Sequence, residues 1–280
     1  MDGFSEIRQS FREAAESSDI PKFVKEHPDA AFVFASRSPL PAAVRDSLGS
    51  KAADVRLRDL DTETQRPFLS RYLARGEQEV DSVLDQIESN FPGLPLIPLM
   101  LTLIARVYDE TGQVPKGRAT LFGQHAGWIL RPEATGLDDP AGLDVALRHL
   151  VRETYLKSGD RGMTVEQGVQ ALSAIKDKLK DFDIDTSALK LVNLFVRSGL
   201  YRRVGENLRF FHDSFESYYG ARALESAFHS KGYDYVFGFK INPAFSETWE
   251  FLNEILSESQ ETQRLEEALA ACEKKSVAPV

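Results

Sequence analysis

FPGLPLIPLMLTLIARVYDETGQVPKGRATLFGQHAGW, residues 91–128, joins a short segment of strand-like patterning to a longer helical region, and its reading decides the fold. From Leu94 to Ala105 the run LPLIPLMLTLIA is almost unbroken in its apolar character, with prolines at 95 and 98. Proline lacks an N–H and fixes φ, so it suits the first helical position rather than the interior. The run therefore predicts a proline-broken approach and a buried helix starting near Pro98. A bilayer span takes roughly twenty apolar residues, whereas this run is shorter and Arg106, Asp109 and Glu110 follow at once, so no membrane span is expected. The turn DETGQVPKGR, broken by Gly112, Pro115 and Gly117, leads to a second helix over Arg118 to Leu130.

Toward the N-terminus, EQEVDSVLDQIESN places Val80, Val83, Leu84 and Ile87 on one helical face and its acidic residues on the other. Before it, LDTETQRPFLSRYLARG predicts a helix opened by Asp61 or Thr62, with Pro67 delaying its regular part. These four helices make a small bundle. Further upstream, SFREAAESSDIPKFVKEHPDA reads as a helix and loop, and AFVFASRSP as a strand over Ala31 to Ala35. Ser36, Arg37 and Ser38 then lie beyond its carboxyl end, where open α/β sheets bind ligands. Taken alone, Arg37 reads equally as an ordinary loop arginine. DVRLRDL, residues 54–60, is a second strand candidate.

Downstream of the loop RPEATGLDDPAG, three helices are expected in LDVALRHLVRETYLK, TVEQGVQALSAIKDKL and TSALKLVNLFVRSG. LYRRV and LRFFH then form a hairpin turning at Gly205, Glu206 and Asn207, and DSFESYYGARALESAF closes the region as a helix. That succession suits a winged helix, whose third helix often enters DNA. Lys190 and Arg197 fall on that helix, and Arg202, Arg203 and Arg209 on the wing. In an acidic chain without a dense basic stripe, the same residues read more readily as scattered surface charge than as a DNA-binding face. After Phe228 come an aromatic connector and two helices; Trp249, Leu252, Ile255 and Leu256 give a face that either continues into a helical repeat or caps the winged helix.

With 280 residues and 42% hydrophobic composition, the chain carries about two domains' worth of core. Its net charge of −9 argues against binding nucleic acid through overall phosphate attraction. Cys272 is the single cysteine and forms no internal disulfide; no basic segment followed by an apolar one marks a secretory signal, so the cytoplasm is the expected location. His27, His125, His149, His212 and His229 show no metal-ligand spacing with that cysteine, and neither G-x-S-x-G nor the phosphate-cradling G-x-x-x-x-G-K-[ST] occurs.

Five stretches in order, MDGFSE, FVFASRSP, LDTETQRPFLSRYL, PLMLTLIARVY with PKGRATLF, and RFFHDSFESYYGARAL, together resemble the C-terminal part of a NACHT module of the STAND class of signalling nucleoside triphosphatases. The resemblance implies the acidic end of a Walker B segment, a sensor strand ending in arginine, a helical lid, a proline-led helix facing nucleotide, and a winged helix. It implies a mainly α fold: a truncated α/β nucleotide-binding remnant over 1–60, a helical lid over 61–131, a winged-helix domain over 132–229 and C-terminal helices over 230–280.

Carried over by position, Asp2 resembles the carboxylate that holds Mg²⁺ through water, and Glu6 the one that orients the attacking water. Ser5 stands where the family usually has a second aspartate. Arg37 would sense the γ-phosphate through its fork of donors, and Pro98, with Pro95 as second choice, would pack on adenine while also serving as a helix N1 proline. His212 would reach the β-phosphate of ADP, with Ser217 in place of the family's glutamate. ATP or ADP with Mg²⁺ would bind only with the missing P-loop half, and activation would bring homo-oligomerisation. The 280 residues alone are expected not to hydrolyse ATP, and they read as an excised fragment, a truncated gene product or half of a split protein. A winged-helix DNA-binding regulator and a structural helical adaptor are the alternative functions.

Overall fold

A computed structural model describes residues 19–35, 40–49, 52–55, 59–94, 96–232, 235–236, 239 and 243–258. The chain divides into two compact units, Met1–Arg58 and Asp59–Val280. In the first, α1 (Ile20–Glu26) and α2 (Ala42–Leu48) bury Ile20, Val24 and Val44 between them. The strand expected over 31–35 forms no ladder among the described residues, and residues 56–58 of the one expected over 54–60 lie outside them. The period-2 pattern is nevertheless physical. Phe32 and Phe34 stack with ring centroids 6.3 Å apart and pack on the α1–α2 core, whereas Val33 between them is exposed. What covers this extended run is helix, so the alternation that reads as a sheet face is here a face laid on helices.

The second unit opens with α3 (Thr62–Leu73), α4 (Glu77–Asn90), α5 (Pro98–Thr111) and α6 (Arg118–Leu130). Asp61 caps α3, its Oδ1 accepting from the Thr64 N–H at 2.9 Å. Pro67 lies inside α3 and does not delay it. Its missing N–H would have bonded the carbonyl of Glu63, and both residues are exposed, so water meets that carbonyl. Val80, Val83, Leu84 and Ile87 form the buried face of α4 as their spacing requires. α5 begins at Pro98, buries Leu101, Ile104, Ala105 and Val107 completely, and ends where Gly112 turns left-handed at φ 72°. The approach to it is tied down by the Leu60 N–H, which donates to Leu96 O at 3.1 Å.

After a turn of helix, α7 (Pro132–Thr135), come α8 (Pro140–Glu153), α9 (Tyr155–Ser158), β1 (Met163–Thr164), α10 (Val165–Ser173), α11 (Lys176–Lys180), α12 (Ala188–Arg197), β2 (Tyr201–Val204), β3 (Asn207–Phe210) and α13 (Asp213–Lys231). The three strands lie in the order β1-β3-β2, all antiparallel, with Met163 opposite Leu208 and Tyr201 opposite Phe210. Two expected helices are each broken. The first stops at Thr154 (φ −105°, ψ −83°), and the second at Ala174 and Ile175, which separate α10 from α11.

A 3-10 turn, Pro243–Phe245, leads into α14 (Ser246–Glu258), which packs most extensively on α13 and also on α6. Phe251, Leu252 and Leu256 are fully buried there. Gly220 permits the approach, since a Cβ on it would come within 3.1 Å of Thr248 Cγ2. Phe122 of α6 meets Phe215 of α13 at 4.6 Å and Phe251 of α14 at 5.1 Å between ring centroids. Each such buried ring contributes roughly 1.5–3 kcal/mol. The molecule is thus mainly helical with one small sheet, and among the described residues no helix is long and apolar enough to cross a membrane.

Candidate functional site

The head of α13 gathers the polar groups that α13, α14 and the loop before β1 leave inside the fold. That loop, SGDRG over 158–162, turns left-handed at Gly159 and Gly162, with φ 75° and 84°. At Gly162 a side chain is excluded on two counts, because its Cβ would lie 2.7 Å from the Leu208 carbonyl oxygen and its φ favours glycine. The turn projects Arg161 onto α13. Its Nη1 donates to the Asp213 carbonyl at 2.7 Å and its Nη2 to Ser217 Oγ at 3.0 Å, and its guanidinium lies 5.3 Å over the Tyr155 ring.

Three carboxylates surround this one cation: Asp213 and Glu216 at 3.8 Å and Glu247 at 3.6 Å. Glu247, from α14, accepts from Ser214 Oγ at 2.6 Å and from Ser217 Oγ at 2.8 Å. Glu216 is 3% exposed and accepts from the Gly162 N–H at 2.9 Å. Burial pushes its carboxyl up to about 7, against the pull of that hydrogen bond and of Arg161. Tyr155 Oη donates to the Ala244 carbonyl at 2.9 Å, and burial raises the hydroxyl's pKa. The contacts of Arg161, Glu216 and Glu247 fix the start of α13, and that of Tyr155 ties α9 to the turn before α14. Among the described residues no group of His, Cys, Asp or Glu is arranged to hold a metal.

His212 stands immediately before the helical turn that the cluster holds. It is the N-cap of α13, half-buried, and its Nδ1 accepts from the Ser214 N–H at 3.2 Å. Accepting there requires the Nδ1 lone pair, so the ring proton sits on Nε2, which is thereby a hydrogen-bond donor. Just behind it, Phe211 and Phe215 pack on buried His125 at ring distances of 6.3 and 5.5 Å. Burial and then Arg106 hold the His125 imidazole down at about 4.

Pro98 is exposed at the first position of α5, and its carbonyl accepts from Thr102 Oγ1 at 2.8 Å. Asp2, Ser5, Glu6, Arg37 and Pro95 lie outside the described residues, so of the five expected site positions only Pro98 and His212 have a described geometry. Lys190, Arg197, Arg202 and Arg203 are exposed on α12 and β2, with Arg203 donating to the Gly205 carbonyl at 2.9 Å; Arg209 is half-buried. Arg161, Glu216 and Glu247 escaped the sequence reading. The signal for the first was its place in a glycine-flanked loop, and for the second its place in FFHDSFESYY; Glu247 carried none.

Compared with protein-family models, curated proteins and solved structures, the chain matches none.

Proposed function

We propose that this chain is the closing portion of a nucleotide-gated signalling switch of the NACHT type, acting in the cytoplasm. Residues 1–60 belong in this reading to the α/β core, 61–131 to the lid, 132–229 to a winged helix and 230–280 to a C-terminal helical extension. The observation that carries it is the place of His212 at the start of α13 directly after the β2–β3 hairpin, with Nδ1 accepting from the Ser214 N–H so that Nε2 carries the ring proton. In the switch this donor reaches the β-phosphate of ADP. The Ser217–Glu247 hydrogen bond adds support, because a carboxylate from α14 stands beside the position where the resembled family carries its own glutamate.

The remaining roles follow the resemblance. Pro98 offers an exposed ring to adenine, Arg37 reads the γ-phosphate, Asp2 holds Mg²⁺ and Glu6 orients water, with the phosphate cradle supplied by a P-loop half. A hydrogen bond to a charged phosphate is worth roughly 1.5–3 kcal/mol, so losing it changes a closed-to-open ratio about ten- to a hundredfold. Joined to a P-loop half, the His212→Leu chain is expected to bind ADP about tenfold or more weakly and to oligomerise spontaneously in light scattering. Unchanged ADP affinity and unchanged closure would sink this reading.

A winged-helix DNA reader is favoured by the exposure of Lys190, Arg197, Arg202 and Arg203. Against a net charge of −9, binding to duplex is expected to be weak and unspecific, and sequence-specific gel retardation at physiological salt would promote this alternative.

A further inference from the structure

Away from the His212 cluster, α8, α11 and α13 enclose a cleft of about 280 Å³. Val145, Arg148, His149 and Arg152, at i, i+3, i+4 and i+7, form one side of it from α8. Ile175 and Lys178 close a second side, and Ala223 and Ser226 of α13 a third. From these walls we infer that the cleft binds a small phosphate-bearing molecule, its phosphate held by Arg148, Arg152 and Lys178 and its apolar body lying on Val145, Ile175 and Ala223.

The charge balance supports an anion. Arg148 Nε lies 3.0 Å from Asp144 Oδ2, close enough for an ion pair but not aligned as a hydrogen bond, and Asp144 also faces Arg222 at 3.9 Å. Arg152 shares Glu153 with Lys157. Lys178 has no carboxylate within ion-pair distance among the described residues. The cleft is therefore cationic in a protein whose net charge is −9.

A second observation is how Arg152 uses its donors. Nη2 donates at 2.9 Å to His149 Nδ1, whose ring in turn donates from Nε2 to the Ala171 carbonyl at 3.1 Å. A guanidinium donor directed at a neutral nitrogen gains less than one directed at an oxyanion, so an entering phosphate competes well for it. Burial, and then Arg152, hold the His149 imidazole below its usual range, and Glu153 pulls the other way. An anion beside Arg152 raises it, which makes His149 a reporter. The volume, about 280 Å³, falls just short of the range of about 300–1,000 Å³ typical of small-molecule sites, and so selects a compact ligand over a macromolecule. None of this depends on the nucleotide reading.

The test uses the whole 280-residue chain with labelled histidine, followed by NMR, and three probes: phenyl phosphate, inorganic phosphate and phenol. Phenyl phosphate is expected to shift the His149 ring signals, raise its titration midpoint, and bind more tightly than either other probe. Lys178→Glu and Arg152→Gln are expected to weaken it about tenfold or more. Ser226→Trp, which keeps every cation but fills the cleft from an exposed position, is expected to abolish it. Thermal unfolding checks that each variant is folded. No His149 response at about 10 mM phenyl phosphate overturns the proposal. So does equal binding by the folded variants, by phenol, or by inorganic phosphate alone, and a phosphoserine peptide that binds more tightly than phenyl phosphate overturns the small-molecule assignment.

Discussion

Ser217 Oγ donates to Glu247 Oε2 across 2.8 Å, tying α13 to α14 between residues 30 positions apart in the chain. The other oxygen of the same carboxylate takes the Ser214 hydroxyl, and Arg161 stands 3.6 Å away. Removing Glu247 loses two charge-assisted hydrogen bonds but also relieves the crowding of three carboxylates around one guanidinium. The hydrogen bonds outweigh the relief, because their loss leaves the hydroxyls of half-buried Ser214 and fully buried Ser217 without their acceptor. Glu247→Ala is expected to cost about 2 kcal/mol in urea unfolding, and a double-mutant cycle with Ser217→Ala to give a coupling of about 1 kcal/mol. A coupling of zero would mean that the contact contributes nothing.

Glu216 makes stability depend on pH. Its folded carboxyl titrates at about 7 against an ordinary 4.5, so between those values the folded chain holds a proton that the unfolded chain has released. Stability from this group is therefore present in acid and lost as pH rises through about 7. At about 1.4 kcal/mol per pH unit the span is on the order of 3 kcal/mol. Glu216→Gln keeps an acceptor for the Gly162 N–H, and its thermal midpoint is expected to change less between pH 5 and 8 than that of the parent. The same slope in both proteins would show that Glu216 is not the titrating group.

His125 has the opposite sign. Its imidazole is held at about 4 against an ordinary 6.5, so its contribution is present above pH 6.5 and lost as pH falls toward 4. Between about pH 4.5 and 6.5 the slopes of His125 and Glu216 oppose, and as far as these two groups set it, the stability of the parent is nearly flat there. His125→Leu keeps the slot between Trp128, Phe211 and Phe215 filled and removes a buried Nδ1 that has no hydrogen-bond partner. Urea unfolding of this variant is expected to show stability climbing on acidification from pH 6.5 to 4.5. A parent-like flat profile would remove His125 from the account.

Arg118 joins α6 to α14 through both ends of its guanidinium. Nε donates to Glu254 Oε1 at 2.8 Å and Nη2 to Glu250 Oε2 at 3.0 Å, with the plane 4.9 Å over the Phe251 ring. A lysine ammonium is a point charge and does not reproduce the fork. Arg118→Lys is expected to destabilise by about 1–2 kcal/mol and Arg118→Met by about 2–4 kcal/mol. Amide exchange in the first turn of α6 should accelerate in both, and unchanged protection there would show that α14 does not hold that turn.

How much of this was legible in the sequence depends on the range of the interaction. The α4 face of Val80, Val83, Leu84 and Ile87 and the start of α5 at Pro98 were readable because periodicity and a missing N–H are local properties. The break at Thr154 and the two-residue β1 were not, because β1 exists only through its pairing with Asn207 and Leu208. Phe32 and Phe34 showed a true alternation, but no alternation says whether a strand or a helix covers it. At the site, the stretch FFHDSFESYY pointed to His212, whereas its donor nitrogen is fixed by the Ser214 N–H and its support comes from Arg161 and Glu247, which lie far from it in sequence.

Glu254 also accepts from the Ala119 N–H at 3.0 Å, so the first turn of α6 is capped by a carboxylate 135 positions later in the chain. Gly117 offers no side chain of its own for this purpose. A ribosome adds roughly 5–20 residues per second, so on the order of ten seconds separates the appearance of that turn from the arrival of its cap. Throughout that interval a nascent chain displays an open helix end and an Arg118 guanidinium still waiting for its partners. Once α14 docks, the carboxylates of Glu250 and Glu254 occupy both.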